Sequence, residues 1–126
     1  MCNNGFNTIV IETKALDFAV RLVSIPGVNS TGRVEVRYNG TWGTICSKGF
    51  SYTDATMICK GLGFQSMVRF KEGSIYGNGK GPIWLSQLDC TGKESNIAAC
   101  RHSGWGINNC THDQDIELTC YDRRSN

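Results

Sequence analysis

Seven cysteines are the residues of this 126-residue chain that are most capable of chemistry. Their thiolates can ligate zinc, act as nucleophiles or form disulfides. Structural zinc sites use cysteines two to four residues apart, and no pair in this chain is that close. No cysteine is marked out by an adjacent base as a catalytic thiol, and the serine-hydrolase motif Gly-x-Ser-x-Gly is absent. The sequence therefore argues against cysteine-bound metal and against catalysis.

Disulfides account best for so many cysteines, because cysteines at this density are typical of proteins in an oxidising, extracellular compartment. We predict that six cysteines form three disulfides and that one, Cys2, is left over. The spacing leaves fifteen pairings open. Cys2 has three alternatives: a partner in an upstream segment, a cross-link between two chains, or a cloning remnant.

Alternating apolar and polar residues predict strands. In Arg33-Val-Glu-Val-Arg37, Val34 and Val36 are expected to face the core while Arg33, Glu35 and Arg37 share the solvent face. An Asn-Gly pair at 39–40 then predicts a tight hairpin turn.

A helix is predicted after Ser51, because Ser51 and Asp54 have the spacing of a capping box. Its apolar positions share one face, so Cys59 is expected on the buried side. The remaining elements are read from alternation and glycine content: strands at 67–71, 83–85 and 116–120, a glycine-rich loop at 73–82 and a short helical turn at 97–100.

Several motifs together resemble the scavenger receptor cysteine-rich (SRCR) domain, from about Val20 to Cys120. The motifs are Val20-Arg-Leu-Val23, Gly32-Arg-Val-Glu-Val36, Trp42-Gly-Thr-Ile-Cys46, Asp54-Ala55 ahead of Cys59, Gly81-Pro-Ile-Trp-Leu85, Cys90-Thr-Gly-Lys-Glu-Ser95, Gly104-Trp-Gly106 and Asn109-Cys-Thr-His112. The resemblance implies an α+β fold in which a curved antiparallel sheet cradles one helix.

The resemblance also indicates the six-cysteine, group A subtype, because two cysteines of the eight-cysteine subtype are missing, one at Phe64 and one near Val28. It implies the disulfides Cys46 to Cys110, Cys59 to Cys120 and Cys90 to Cys100. We expect residues 1–19 to be a linker or the tail of a preceding domain, 20–121 the SRCR domain and 122–126 a tail. The natural chain is expected to extend further at its N-terminus.

Many SRCR domains bind Ca²⁺ through two acids after the first of these cysteines and a glutamate in the loop that contains the histidine. The matching positions here are Ser47, Lys48 and Gln114. Because an ammonium group repels calcium, we predict that the usual site is lost and that the protein needs no cofactor. A weak second cation site including Asp54 and Asn108 is an alternative.

The family resemblance predicts a non-catalytic extracellular module that binds a protein or a polyanion. The positive charge that binds such a ligand would come from exposed cationic side chains. The competing interpretation is that each of them is an ordinary solvated surface charge. The candidates are Lys48, Arg33, Arg37, Arg69 and Lys71. The alternative function is a structural module that spaces or docks neighbouring domains of the same chain.

The location expected from the resemblance is extracellular, either secreted or in the ectodomain of a surface protein. A net charge of +2 is too small to favour nucleic acid, and no apolar run is long enough to insert directly into a membrane. Three sequons, at Asn29, Asn39 and Asn109, are candidate glycosylation sites. Cys110 lies inside the third sequon, where modification would compete with disulfide formation.

Overall fold

A computed structural model describes residues 18–123 and shows a curled sheet wrapped around one helix. Cys2, most of the predicted linker at 1–19 and the end of the predicted tail lie outside the described residues. The strands are β1 (Ala19–Val23), β2 (Thr31–Tyr38), β3 (Thr41–Ile45), β4 (Ser66–Glu72), β5 (Ile83–Leu85) and β6 (Ile116–Tyr121), and the helix is α1 (Tyr52–Gly61). Short 3₁₀ turns occupy Ile97–Ala99 and His112–Gln114.

The sheet has the order β4-β6-β2-β3-β5, and β1 pairs with β2 as a branch off this path. All pairs are antiparallel except β3 with β5, which is parallel. The predicted curved antiparallel sheet with one helix is thus confirmed, with this one parallel pair added. None of the described helices is long and apolar enough to cross a membrane.

Local signals in the sequence set the turns and the helix ends. Asn39 and Gly40 join β2 to β3 with φ values of 53° and 78°, the left-handed conformations that a type I′ turn requires. Ser51 caps α1, since its side chain accepts a hydrogen bond from the Asp54 N–H while the Asp54 carboxylate accepts one from the Ser51 N–H. After the helix, Gly63 has a φ of 94°, and the Phe64 N–H donates to the Cys59 carbonyl, which is the Schellman arrangement.

The hydrophobic core lies between α1 and the inner face of the sheet. Val34 and Val36 are fully buried there, as the alternation predicts, and they belong to one cluster with Ile58 and Leu118. Of the three disulfides, Cys59–Cys120 joins α1 to β6, whereas Cys46–Cys110 and Cys90–Cys100 tie segments outside the helix. All three pairings that the resemblance implies are confirmed.

The outer face of β2 differs from the prediction. Arg33 is only 9% exposed and Glu35 only 5%, and Arg37 is half-buried, so these residues do not share a solvent face. The glycine-rich loop 73–82 covers Arg33, which donates hydrogen bonds to the carbonyls of Tyr76 and Gly77, at 3.3 and 2.7 Å. Glu35 is covered by the guanidinium groups of Arg21 and Arg33. Alternation correctly separated two faces, but it carried no information about what covers the second one.

Side chains from β6 and from the residue before it also hold this loop. Glu117 accepts a hydrogen bond from the Ile75 N–H at 2.9 Å, and Asp115 accepts one from the Gly79 N–H at 2.8 Å. Gly79 has to be glycine, because an added Cβ would collide with the side-chain methyl of Thr44. The loop is therefore a fixed second layer over the sheet.

Candidate functional site

Ser47, Lys48 and Gln114 come together where the chain leaves β3. Cys46 forms an isolated antiparallel bridge with Asp115, and the Ser47 N–H donates to the Gln114 carbonyl at 2.8 Å. The three positions that match the family's calcium site are thus neighbours in space. Their side chains are a hydroxyl, an ammonium and an amide.

Each of these side chains has a different environment. Gln114 accepts a hydrogen bond from the Thr111 N–H through Oε1 at 3.1 Å, which caps the 3₁₀ turn. Ser47 donates from Oγ to the Glu72 carboxylate at 2.6 Å. Lys48 is exposed, and its ammonium makes no hydrogen bond or ion pair with residues 18–123. It borders a cavity of about 280 Å³ that Gln114 also lines.

Glu72 is a site residue that the sequence analysis missed. It lies on β4, 25 residues after Ser47 in the chain. Its position depends on the register of β4 against β6, where Glu72 lies opposite Ile116. No local pattern could have indicated that this carboxylate reaches the loop after β3.

Asp54 and Asn108, the predicted weak cation site, both have structural partners. The carboxylate of Asp54 is fully buried and accepts hydrogen bonds from the N–H groups of Ser51 and Cys90, at 2.9 and 2.8 Å. Burial raises its pKa, while the hydrogen bonds from Cys90 and Ser51 oppose the shift. The Asn108 amide donates to the Ile83 carbonyl and accepts from the Cys110 N–H.

The five predicted ligand-binding cations lie in three regions and do not form one patch. Lys48 is in the loop after β3, and Arg69 and Lys71 are exposed on the edge strand β4. Arg33 was predicted to be accessible and is buried, where it pairs with Glu35 at 3.0 Å. Arg37 is half-buried, and its guanidinium carbon lies 5.7 Å from the ring centre of Trp42.

A group of atoms with metal-ligand chemistry occurs at Cys90, Glu94 and Cys100, within 4.8 Å of one another. Both sulfurs belong to the Cys90–Cys100 disulfide and are not thiolates. The Glu94 carboxylate accepts hydrogen bonds from the N–H groups of Thr91 and Gly92. This group is a turn closed by a disulfide and not a metal centre.

His112 is tied to two parts of the fold through its two ring nitrogens. Nδ1 lies 3.0 Å from both carboxylate oxygens of the buried Asp115, and Nε2 lies 3.0 Å from the Gly81 carbonyl. Only the imidazolium can donate to both acceptors at once. Partial burial and the Arg33 charge lower the pKa of His112, but the bonds to Gly81 and Asp115 and the Asp115 charge outweigh them and raise it.

The stability of the domain should therefore depend on the protonation of His112. Because its folded pKa is raised, its contribution to the free energy of unfolding is complete below pH 6.5, the ordinary pKa, and is lost as the pH rises through the folded value. In urea unfolding measured from pH 5.5 to 8.5, we expect the free energy of unfolding of the wild type to include this fall with rising pH. H112N should lack it. Equal pH slopes for wild type and H112N would contradict the assignment.

His102 provides an opposite control for this experiment. Burial lowers its pKa, so its neutral form is favoured in the folded state and its contribution is lost as the pH falls. H102N should therefore change the pH slope in the direction opposite to H112N.

The three sequon asparagines, Asn29, Asn39 and Asn109, are all exposed. Asn39 lies at the β2–β3 turn. Asn109 directly precedes Cys110, which is bonded to Cys46. The third sequon is therefore the one of the three that contains a disulfide cysteine.

Comparison with known families matches residues 27–121 to the model of the scavenger receptor cysteine-rich domain. Among curated proteins, lysyl oxidase homolog 2 from Xenopus laevis and from Homo sapiens are each 44% identical over 105 residues. The match covers 83% of this chain but only 14% of each relative, so the chain spans about one seventh of their length. Human lysyl oxidase homolog 4 is 39% identical over 105 residues, with the same coverage.

Two solved structures resemble the fold closely. The SRCR domain of mouse MARCO, in its dimeric form, is 40% identical with a TM-score of 0.66, covering 78% of this chain and 93% of that one. The third SRCR domain of murine neurotrypsin is 39% identical with a TM-score of 0.71, covering 82% and 95%. Both similarities extend over nearly the whole of those domains.

Proposed function

The chain belongs to the scavenger receptor cysteine-rich family, and from this we propose that it is a ligand-recognition module that binds an extracellular protein or a polyanion without the family's usual calcium ion. SRCR domains are non-catalytic modules of multidomain extracellular proteins. The oxidase named in the curated relatives is not transferred, because this chain corresponds to a small part of those proteins.

The exposed ammonium of Lys48 is the observation that carries this proposal. It lies beside Ser47 and Gln114, at the place where the family's calcium ligands would meet. Calcium in proteins is held by several carboxylate and carbonyl oxygens. These three side chains supply no carboxylate, and the one carboxylate bonded to them, that of Glu72, already accepts a hydrogen bond from Ser47. Lys48 therefore supplies directly the positive charge that the ion would otherwise bring.

Arg69 and Lys71 support the same function from the edge strand β4. Both are exposed, and neither has an ion pair with residues 18–123. Arg37, beside Trp42, stays a predicted contact with the ligand. Arg33 is no longer a useful candidate, because its guanidinium already bonds to the loop and to Glu35.

Binding of dextran sulfate to the isolated domain tests this function. We expect binding that a calcium chelator leaves unchanged and that K48A/R69A/K71A weakens about tenfold or more, because each exposed charge contributes about 0.5 to 1 kcal/mol. Affinity should also fall with added salt, since exposed charges are screened.

A charge-matched variant distinguishes the loss of a specific binding site from the loss of net positive charge. K60A/K80A/K93A removes three other exposed cations and should bind nearly as well as wild type. Loss of binding on chelation would refute the calcium-independent site. Equal weakening in both triple variants would mean that only net charge matters.

A structural role is the second candidate, because this chain corresponds to only 14% of relatives that are several times longer. In that role the domain spaces or docks its neighbours and has no ligand of its own. Failure to bind across a broad panel of polyanions and extracellular proteins would favour it over recognition.

Several finer assignments belong to the same proposal. We place the chain in the group A subtype, with the domain at 20–121 and flanking segments as linker and tail. It would be secreted or part of a surface ectodomain, with glycans at the exposed sequons. The six cysteines in three disulfides and the missing cysteine at Phe64 support the subtype.

A further inference from the structure

A second cavity, of about 370 Å³, adjoins the one that Lys48 borders, and Gln87 and Ser103 line both. The side chains that matter there are Gln87, Asp89, Arg101, His102 and Ser103. They come from two segments, one following β5 and one following the 3₁₀ turn Ile97–Ala99. Both signs of charge and several neutral polar groups therefore surround one space.

The frame of this cavity is held by backbone bonds and a disulfide. The Asp89 N–H donates to the Arg101 carbonyl at 2.9 Å, next to the Cys90–Cys100 bridge. The Ser103 N–H donates to the Ser86 carbonyl at 3.0 Å. Such a preformed frame lowers the entropic cost of ordering the cavity around a ligand.

Asp89 and Arg101 lie directly opposite each other across an antiparallel bridge. Side chains in that relation have Cβ atoms about 5 Å apart, close enough for opposite charges to pair. Yet they form no ion pair, and neither side chain has a hydrogen bond within residues 18–123. A carboxylate and a guanidinium are thus both left open to a ligand at one site.

Gln87 is held in an unusual conformation at the edge of the same cavity. Its φ is 55°, in the left-handed region that non-glycine residues rarely adopt. Its N–H donates to the Lys48 carbonyl at 2.9 Å, and its side-chain amide has no partner within the described part of the chain. Backbone strain of this kind is concentrated at functional sites.

His102 adds a hydrogen-bond donor. Its Nδ1 accepts a bond from the Gly104 N–H at 3.0 Å, so the neutral ring carries its hydrogen on Nε2. Burial lowers the pKa of His102, which keeps this neutral form dominant at physiological pH.

We propose that this cavity binds a sugar residue bearing a carboxylate, with the carboxylate on Arg101 and a neighbouring hydroxyl donating to Asp89. A guanidinium binds a carboxylate through two parallel hydrogen bonds, and an ionised aspartate needs a donor. A uronic acid ring carries both groups side by side. The Gln87 amide and the Ser103 hydroxyl can meet the remaining sugar hydroxyls.

The mixed charge distinguishes this site from the cations of the proposed function. Asp89 would repel a densely sulfated chain, whereas it would bond to a hydroxyl. Removing the Asp89 charge should therefore strengthen purely electrostatic binding but weaken binding of the sugar.

Titration calorimetry with a hexasaccharide of alternating glucuronate and N-acetylglucosamine tests the proposal. Glucuronate is placed at its non-reducing end, where the hydroxyl beside the carboxylate is free. We expect R101Q to weaken binding about tenfold or more, because a hydrogen bond between charged groups contributes substantially to affinity. D89N should also weaken it, and the carboxyl-reduced hexasaccharide should bind poorly to wild type.

R123Q is the matched control, since it removes the same guanidinium from an exposed position after β6, outside both proposed sites, and should leave hexasaccharide binding unchanged. Thermal melting would check that each surface variant stays folded. No binding of the hexasaccharide, stronger binding by D89N, or equal binding of the carboxyl-reduced sugar would each overturn the proposal. Dextran sulfate binding by R101Q and D89N reports separately on the proposed function, so the two can fail independently.

Discussion

Replacing Cys59 and Cys120 together by alanine should lower the free energy of unfolding by about 4 kcal/mol. The bridge closes a segment with a sequence separation of 61, and the loop-closure relation gives about that value for such a length. Both cysteines are buried, at 0% and 3% exposure, so the cavities left by the two sulfurs add to the loss. Urea unfolding of the double variant against wild type measures the change.

The Cys90–Cys100 bridge is the internal comparison. Its sequence separation is only 10, so C90A/C100A should cost less, about 3 kcal/mol by the same relation. A loss of 4 kcal/mol is a large part of the stability of a small domain, and the first variant should therefore unfold at a much lower temperature. A larger loss in C90A/C100A would contradict the loop-length argument.

Changing Glu35 to alanine should destabilise the fold by about 3 to 5 kcal/mol, because it breaks a buried ion pair from one side only. Glu35 accepts hydrogen bonds from Arg21, at 3.0 and 2.7 Å, and from Arg33 at 3.0 Å. The Arg33 side chain is 11% exposed and would be left without its carboxylate. Chemical unfolding and melting temperature would both record the loss.

Two further variants make this result interpretable. R33M/E35L removes both charges and should be less destabilising than E35A, since no buried charge is left uncompensated. R69A changes an exposed residue on β4 and should shift stability by no more than about 0.5 kcal/mol. If E35A resembled R69A, the outer face of β2 would be open to solvent, as alternation alone predicts.

Sequence reasoning succeeded where the signal is local. The Asn39-Gly40 turn, the Ser51–Asp54 capping box and the buried Cys59 all follow from residues a few positions apart, and each is present in the structure. The disulfide pairing was different, because spacing left it open and only the family resemblance implied it.

Sequence reasoning failed where a distant segment decides the environment. Arg33 was predicted to be a solvent-facing ligand contact, but the loop 73–82, some forty residues later, covers it. Glu72 reaches Ser47 only through the register of β4 on β6. A pattern of period two assigns side chains to faces, and it does not say which segment packs on each face.

The sequence by itself determined the strands, the helix with its caps and the composition of the core, while the family resemblance matched Lys48 to the position of a calcium ligand. Only the tertiary structure decided that Arg33 is structural, that Lys48 is free of ion pairs within the described chain, and that Asp89 and Arg101 face one cavity without pairing. The physical reason is range. Hydrogen bonds of turns and caps join neighbours in the chain, whereas burial and charge pairing depend on contacts between segments whose approach the local pattern does not encode.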